Sequence, residues 1–288
     1  MKTVEAGTLY VVATPIGNLG DMTPRAVAVL QEVDVIAAED TRHSGRLLAH
    51  FDIGTPSVAL HEHNERSQAP RLVERLAAGE SLALISDAGT PLLSDPGYHL
   101  VRLARERGIR VVPVPGASAL MAALSVSGLP TDRFVFEGFL PAKQGPRRRR
   151  LQALAGELRT LVFYEAPHRV LDTLQDMVAV MGAPRRAVLA RELTKTFETV
   201  RDAPLGELAA WVREDADQQK GEIVLLLAGA PAGGEGSDEA EARRILGVLL
   251  DELPLSQASA LAARLTGLKK KQLYQLGLSL GEAKEAKD

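Results

Sequence analysis

The chain has 288 residues, 45% hydrophobic and 25% charged, which is typical of a globular protein with room for two domains and an appendage. It has no cysteine, which excludes disulfides, thiol nucleophiles and thiolate metal sites. The formal net charge of -3 argues against a surface coated in positive charge. The N-terminal MKTVEAGTLYVVATPIG predicts neither a signal peptide nor a membrane span, so we expect a cytoplasmic protein.

Apolar runs alternate with helix-like segments in the first part of the chain. The apolar runs predict strands at 9–13, 33–37, 82–85 and 110–114. Amphipathic segments predict helices at 23–32, 70–78, 98–108 and 117–127. This alternation predicts an α/β domain over residues 1–128, built on a mostly parallel sheet with helices on its faces.

A second α/β domain is predicted over residues 129–229, after the break at SGLPTD. Its strands are expected at 134–138, 160–164, 187–190 and 222–228, and its helices at 148–158 and 168–181. The glycine-, alanine- and proline-rich segment 230–237 predicts a flexible linker.

Residues 238–288 predict a helical tail without strands. Helices are expected at 238–253, 256–265 and 269–278, with Gly267 in the turn between the last two. Two short helices joined by a glycine turn, with lysines opening the second, are typical of a helix-turn-helix module that binds nucleic acid. A helical dimerisation or packing module is the alternative.

Polar loops follow the predicted strands, whereas the familiar nucleotide and hydrolase motifs are absent. No G-x-G-x-x-G follows a strand, and neither a P-loop nor a G-x-S-x-G elbow occurs. His61 and His63 are the only pair that suggests a metal, but no third ligand is evident nearby, so we expect none. In open parallel sheets, ligands bind outside the carboxyl ends of the strands. We therefore expect the site among these loops.

The loops read, in chain order, ATPIGNLGD, AEDTRHSGRLL, HEHNE, ISDAGTPLLSDPG, PVPGASA, FEGFLP, FYEAPHR and RELTK. In these motifs, and over Thr8 to about Leu278, the chain resembles the bacterial RsmI family, the 16S ribosomal RNA (cytidine 2'-O)-methyltransferases. That family belongs to the tetrapyrrole-methylase fold group of class III S-adenosylmethionine-dependent methyltransferases. The resemblance implies two α/β domains with a cofactor cleft between them, and S-adenosylmethionine as the cofactor.

The resemblance also implies which loop residues hold the cofactor. The loop 87–93 would wrap S-adenosylmethionine, with Gly89 letting the backbone approach it and Leu93 forming an apolar wall. Many relatives that methylate tetrapyrroles carry G-D-P here, whereas this chain has Gly89-Thr90-Pro91 and its carboxylate at Asp87. The full set of expected cofactor-binding residues is Pro15, Asp87, Gly89, Thr90, Leu93, Ser118, Ala119 and Tyr164.

Methyl transfer from a sulfonium is mainly a matter of positioning. A ribose hydroxyl is a poor nucleophile at neutral pH, so a nearby carboxylate or amine would accept its proton as attack proceeds. The expected catalytic group on the strand-end loops is Glu39, Asp40, Glu165, Arg191 and Lys195. A salt bridge with a neighbour such as Arg42 or Arg169 is the alternative role for each.

Two basic runs are candidates for contacts with RNA phosphates. We expect RNA binding by Lys143, Arg147, Arg148, Arg149, Arg150, Lys269, Lys270 and Lys271, with solvated helix starts as the alternative. The resemblance implies 16S rRNA in the small ribosomal subunit as partner, and a homodimer. The two rival functions are a tetrapyrrole (precorrin-type) C-methyltransferase of the same fold and a non-enzymatic RNA-binding protein.

Overall fold

The structure is a computed structural model that describes residues 4–231 and 235–285, without the side chains of 235–241 and 281–285. The chain divides into two compact units. The first reaches to Ala228 apart from Gly156–Leu158, and the second consists of Gly156–Leu158 and the described residues from Gly229 onward. Both predicted α/β domains therefore lie within one unit.

The first sheet is parallel throughout, as predicted, with the strand order β3-β2-β4-β1-β5. Its strands are β1 Thr8–Val12, β2 Val35–Ala38, β3 Ser57–Ala59, β4 Leu82–Ile85 and β5 Arg110–Val114. Its helices are α1 Pro24–Glu32, α2 Thr41–His50, α3 Glu65–Ala77, α4 Tyr98–Glu106 and α5 Ala119–Val126. The sequence did not predict β3 and α2, and α3 begins earlier than the predicted residue 70.

Strict alternation of side chains builds two cores from this one sheet. Tyr10 and Val12 of β1 pack with α1 on one face, whereas Leu9 packs with α3 and α4 on the other. The same period of two runs through β2 and β4, every residue of which is buried. Because all five strands are parallel, their carboxyl ends meet at a single edge.

The second sheet is mixed, with the order β6-β7-β10-β8-β9. Strands β6 and β7 are parallel and the other pairs antiparallel. The strands are β6 Phe134–Phe139, β7 Thr160–Glu165, β8 Arg186–Arg191, β9 Thr199–Pro204 and β10 Ile223–Leu227, and the helices are α6 Gln144–Leu154, α7 Val170–Met181 and α8 Leu205–Glu214. Helices α6, α7 and α8 cover one face, and α5 of the first domain packs on the other.

The second unit is helical, as predicted. Its helices are α9 Glu235–Leu250, α10 Leu255–Thr266 and α11 Lys270–Glu285. Gly267 ends α10 in the left-handed region with φ 75° and donates its N–H to the carbonyl of Ala263, which is the predicted glycine turn. Residues 232–234 of the predicted linker lie outside the described residues, and residues 235–237 already belong to α9.

Among the described helices, none is long and apolar enough to span a bilayer.

The arginine run of α6 is held by a carboxylate on α7. The Asp176 side chain is fully buried and accepts hydrogen bonds from Nε of Arg147 at 2.7 Å and Nε of Arg148 at 2.6 Å. Burial opposes the charge on Asp176, but these hydrogen bonds outweigh it and hold its pKa below the usual range. Arg147 is itself 3% exposed. Arg147 was predicted to contact RNA, and in the structure its guanidinium is buried and joins α6 to α7.

Replacing the buried carboxylate tests this role. Asp176→Asn should lower the free energy of unfolding by about 3–5 kcal/mol, because it leaves the Arg147 guanidinium buried without a counter-charge. Urea denaturation of the two proteins measures the difference. Asp202→Asn is the matched control, since its pair with Arg186 lies at the surface, and it should leave the transition nearly unchanged. Equal transitions for wild type and Asp176→Asn would contradict the assignment.

Candidate active site

The carboxyl edge of the first sheet faces the second sheet across a cavity of about 230 Å³. The cavity is lined on one side by loops that follow β1, β4 and β5, and on the other by β7, β8 and β10. Six of the predicted cofactor-binding residues line it: Gly89, Thr90, Leu93, Ser118, Ala119 and Tyr164. Pro15 and Asp87 do not line the cavity, although each is next to a residue that does.

The loop 86–97 holds an unusual backbone around Leu93. Gly89 has φ 77° and forms an isolated antiparallel bridge with Thr14, with N···O distances of 2.9 and 3.1 Å. Leu92 and Ser94, on either side of Leu93, also have positive φ values of 73° and 71°. Left-handed non-glycine residues cost free energy and persist where the surroundings fix them, often at functional sites.

Gly89 is required by the protein itself. A Cβ atom there would lie 3.1 Å from Cγ2 of Ile16 and 3.6 Å from the carbonyl oxygen of Ala117, on a backbone that L residues rarely adopt. The sequence predicted glycine here for close approach to a ligand. The structure gives a different reason, which is the bridge to Thr14 and the packing under Ile16.

The sequence motifs contact one another around the cavity. The Thr90 hydroxyl donates to the carbonyl of Ala117 at 3.0 Å, which joins the loop 86–97 to the loop after β5. A Cβ atom on Gly17 would fall 2.4 Å from Cγ of Lys195, so the lysine stem crosses over the first loop of the chain. These contacts explain why residues far apart in sequence form one site.

A buried carboxylate anchors the far end of the loop 86–97. Glu65, which ends the motif HEHNE, is 6% exposed and accepts hydrogen bonds from the backbone N–H groups of Gly97, His99 and Leu100 at 3.0, 2.7 and 3.3 Å. These amides open α4, so the carboxylate caps a helix from a neighbouring element. The HEHNE motif thus has a structural role through Glu65.

Acidic side chains gather on the polar side of the cavity. Asp95, Glu165 and Glu222 line it, and Asp95 was not predicted. Burial, and then the negative charge of Glu39, raise the pKa of Asp95 to about 6. Asp95 is the aspartate of the SDPG segment that ends the loop, whereas Asp87 was the aspartate predicted to bind the cofactor.

Glu39 and Asp40 do not line the cavity, but both contact Asp87, which is next to the lining residue Ala88. The amide of Asp40 donates to Oδ1 of Asp87 at 3.1 Å, and that of Asp87 donates to Oε2 of Glu39 at 3.4 Å. Burial, followed by Asp87 and Asp40, raises the pKa of Glu39. The carboxylate of Asp40 caps α2, where the backbone N–H groups of Arg42 and His43 lower its pKa.

The other predicted catalytic residues have structural partners. Glu165 is 3% exposed and accepts from the amide of Ala166 at 2.8 Å and the hydroxyl of Thr173 at 2.6 Å, beside Arg169. Arg191 is buried and donates to Gln218 and to the carbonyl of Phe197. These contacts hold Glu165 and Arg191 in their loops, and their role in turnover stays a prediction.

Lys195 lies between two carboxylates, with its Nζ 2.9 Å from Glu192 and 3.1 Å from Glu222. Burial alone would lower the pKa of Lys195, but the interactions with Glu192 and Glu222 raise it above the usual value. The amine is therefore protonated at neutral pH. It is a cation beside the cavity and a poor proton acceptor.

Some of the predicted RNA-binding residues form ion pairs with carboxylates, and others are exposed without such a pair among the described residues. Arg148 pairs with Asp176, and Arg150 pairs with Glu137 at 2.7 Å. Lys143 and Arg149 are exposed, as are the tail residues Lys269, Lys270 and Lys271. The first of these lysines precedes α11 and the other two open it.

The chemistry of the cavity fits a cationic, partly apolar ligand. Ile16, Leu93 and Leu193 form apolar walls opposite the carboxylates. The hydroxyl of Ser118 is buried without a hydrogen-bond partner among the described residues, as expected where a ligand completes the site. Within the same residues, no group of three or more histidine, aspartate or glutamate side chains could hold a metal ion.

The architecture is that of a known class of enzymes. The family model of the Tetrapyrrole (Corrin/Porphyrin) Methylases matches residues 8–209, and that of the RsmI C-terminal HTH domain matches residues 236–281. A solved uroporphyrin-III C-methyl transferase from Thermus thermophilus, complexed with S-adenyl homocysteine, is similar with a TM-score of 0.52 and 20% identity over 77% of this chain and 96% of that one. At this identity, the likeness shows the fold alone.

Proteins that match this chain over nearly its full length define the family within this class of enzymes. A Pseudomonas aeruginosa protein named Ribosomal RNA small subunit methyltransferase I is 64% identical over 276 residues, 96% of this chain and 98% of that protein. An Escherichia coli O157:H7 protein of the same name is 58% identical, covering 94% and 95%. This chain belongs to the ribosomal RNA small subunit methyltransferase I family of the tetrapyrrole methylases. The predicted fold class and methyltransferase activity are confirmed.

Removing the carboxylate that caps α4 should loosen the cavity loop. Glu65→Ala deletes three hydrogen bonds to buried or half-buried amides and should lower the free energy of unfolding by about 2–3 kcal/mol. The amides of Gly97, His99 and Leu100 should exchange with solvent at least about tenfold faster. Amide hydrogen exchange, followed residue by residue, measures the rates of these three amides and those of the amides in the sheet. Glu106→Ala, which breaks only an exposed pair with Arg102, serves as control, and equal exchange in both variants would contradict the capping role.

Proposed function

We propose that this chain transfers the methyl group of S-adenosylmethionine to the 2'-hydroxyl of a cytidine in 16S ribosomal RNA of the small ribosomal subunit. The observation that carries the proposal is the 64% identity to a protein named Ribosomal RNA small subunit methyltransferase I, which covers both sheets and the helical tail. We also propose that the protein works in the cytoplasm, as a homodimer.

The cavity residues would bind the methyl donor, whose sulfonium supplies an activated methyl group. Asp95 is the carboxylate best placed to bind a positively charged group of the donor, because it lines the cavity and is not engaged in an ion pair with any described residue. Ser118 would direct its free hydroxyl at the same ligand. Leu93 and Ile16 would cover apolar surface and exclude water.

The proton of the attacking hydroxyl needs an acceptor near the cavity. Of the predicted catalytic group, Glu39 is the residue that stays suited to this role, because burial raises its pKa and its contact with the amide of Asp87 is long. Asp40, Glu165, Arg191 and Lys195 would instead position the loops around the reacting groups. Lys195 in particular would keep a positive charge beside Glu222.

The cations that remain free support an RNA substrate. Lys143 and Arg149 are exposed on or beside α6, and Lys269, Lys270 and Lys271 lie at the start of α11. Lysines at a helix start are disfavoured by the helix dipole, and a bound phosphate would remove that disadvantage. A tetrapyrrole substrate would leave the lysines of the tail without a use, which is why we favour RNA.

Neutralising Asp95 should weaken binding of the donor. Asp95→Asn should raise the Kd for S-adenosylmethionine roughly ten- to a hundredfold, the scale of one lost charge-assisted hydrogen bond. Because the pKa of Asp95 is about 6, wild-type affinity should fall as the pH is lowered through 6, and this dependence should disappear in the variant. Calorimetric titration at several pH values measures both effects. Asp132→Asn, which changes a carboxylate that is 79% exposed, should bind like the wild type, and unchanged affinity of Asp95→Asn would contradict the role.

Incubation with labelled donor distinguishes the candidate substrates. Purified protein with labelled S-adenosylmethionine should label small ribosomal subunits taken from cells that lack this enzyme, and the label should resist alkaline cleavage at one cytidine because its 2'-hydroxyl is blocked. Transfer to precorrin instead would establish the tetrapyrrole alternative. Binding to the subunits without transfer to either acceptor would indicate a non-enzymatic RNA-binding protein.

A further inference from the structure

Helix α2 presents a basic face that the predictions for RNA binding did not include. Its buried residues are Ser44 and Leu48, which are four apart and point to the body. Arg46 is two residues from each of them and lies about 200° around the helix axis, at the centre of the outer face. The exposed residues of α2 are Arg42, His43, Arg46, Ala49 and His50, so this face carries no acidic residue.

The two arginines of this face are available for a partner. The Arg42 side chain is 92% exposed and forms a long surface ion pair with Asp40 at 3.7 Å, which an RNA phosphate could replace at little cost. That same oxygen already accepts the amides of Arg42 and His43 at 2.8 and 3.3 Å. Arg46 makes no ion pair with any residue that the structure describes. In contrast, three arginines of α6 are engaged by Asp176 and Glu137.

The basic face begins at the rim of the cavity. Helix α2 follows β2 directly, and its capping residue Asp40 donates its amide to Asp87 in the loop that lines the cavity. Asp87 is followed by Ala88, which is itself a lining residue. Arg42 is therefore two residues after Asp40, whose amide donates a hydrogen bond to the loop 86–97. From Arg42 to His50 the face extends about 12 Å away from that rim.

We propose that the outer face of α2, formed by Arg42, His43, Arg46 and His50, binds backbone phosphates of the RNA strand whose nucleotide enters the cavity. This inference rests on the proposed RNA substrate. An anionic strand is the partner that the charge selects, because the face carries cations without acidic neighbours on the same helix face. The acidic lining of the cavity would repel the same phosphates. The contrast favours a strand that runs over α2 while a single nucleoside reaches the reacting groups.

The test removes charge from α2 without touching the cavity lining. Arg42→Ala/Arg46→Ala should weaken binding of the full-length protein to small ribosomal subunits about tenfold near 0.1 M salt. The slope of log K against log salt should become shallower by about 1.4, the value for two lost contacts with a single strand. Arg42→Lys/Arg46→Lys retains the charge and should keep the wild-type slope. The affinity for S-adenosylmethionine should be the same in all of these proteins.

The matched control removes two arginines from the opposite edge of the same sheet. Because α4 connects β4 to the parallel strand β5, its last turn lies at the amino edge, where Arg105 and Arg107 are exposed. Arg105→Ala/Arg107→Ala makes the same change in net charge and should keep the wild-type slope. If this control loses as much affinity as the α2 variant, net charge rather than the α2 face explains the effect.

Two other outcomes would overturn the inference. A wild-type slope and affinity for Arg42→Ala/Arg46→Ala would show that α2 makes no phosphate contact, and a change of mass in light scattering would identify the face as a protein contact. If the wild type neither binds nor methylates the subunits, the proposed function itself fails. If the wild type methylates the subunits and Arg42→Ala/Arg46→Ala binds them with the wild-type affinity and slope, the inference alone fails.

Discussion

The backbone bridge between Thr14 and Gly89 is the contact on which the site depends. It ties the loop after β1 to the loop after β4, and the Thr14 hydroxyl adds a contact to the carbonyl of Ser86 at 3.4 Å. With this end fixed, Thr90 reaches Ala117 and Leu93 faces the cavity. The positive φ values of Leu92 and Ser94 persist because both ends of the segment are held, one by Thr14 and the other by Glu65.

The sequence was most informative where burial and local geometry determine the structure. Strands β1 and β4 are fully or almost fully buried, so their short apolar runs could be recognised without knowledge of the fold. Strand β3 is three residues long with no buried residue, and β9 carries charged residues at a sheet edge. Such strands are formed by pairing with neighbours, a long-range effect that local patterns do not contain.

The site was predictable as a set of loops and less so as a set of roles. Thr90, in a loop, and Tyr164, near the end of β7, could be placed at the cavity because motifs in sequence order define them. The partner of Arg147, Asp176, lies 29 residues away on another helix, so the arginine run by itself could not reveal this pair. Lys195 is a second example, because it pairs with Glu222, which lies 27 residues further along the chain and directly before β10. Charge alone does not reveal which cations are already neutralised.

The packing of α5 on the second sheet restricts how the cavity can open. Leu120 and Leu124 of α5 share one apolar core with Val162, Val188 and Val224 of the second sheet. A hinge that separated the two α/β domains would expose this core to water, unlike the hinges of proteins whose domains meet through small polar contacts. We therefore expect ligands to enter and leave by motions of the loops that line the cavity, since loop motions generally take nanoseconds to microseconds and need no rearrangement of sheets.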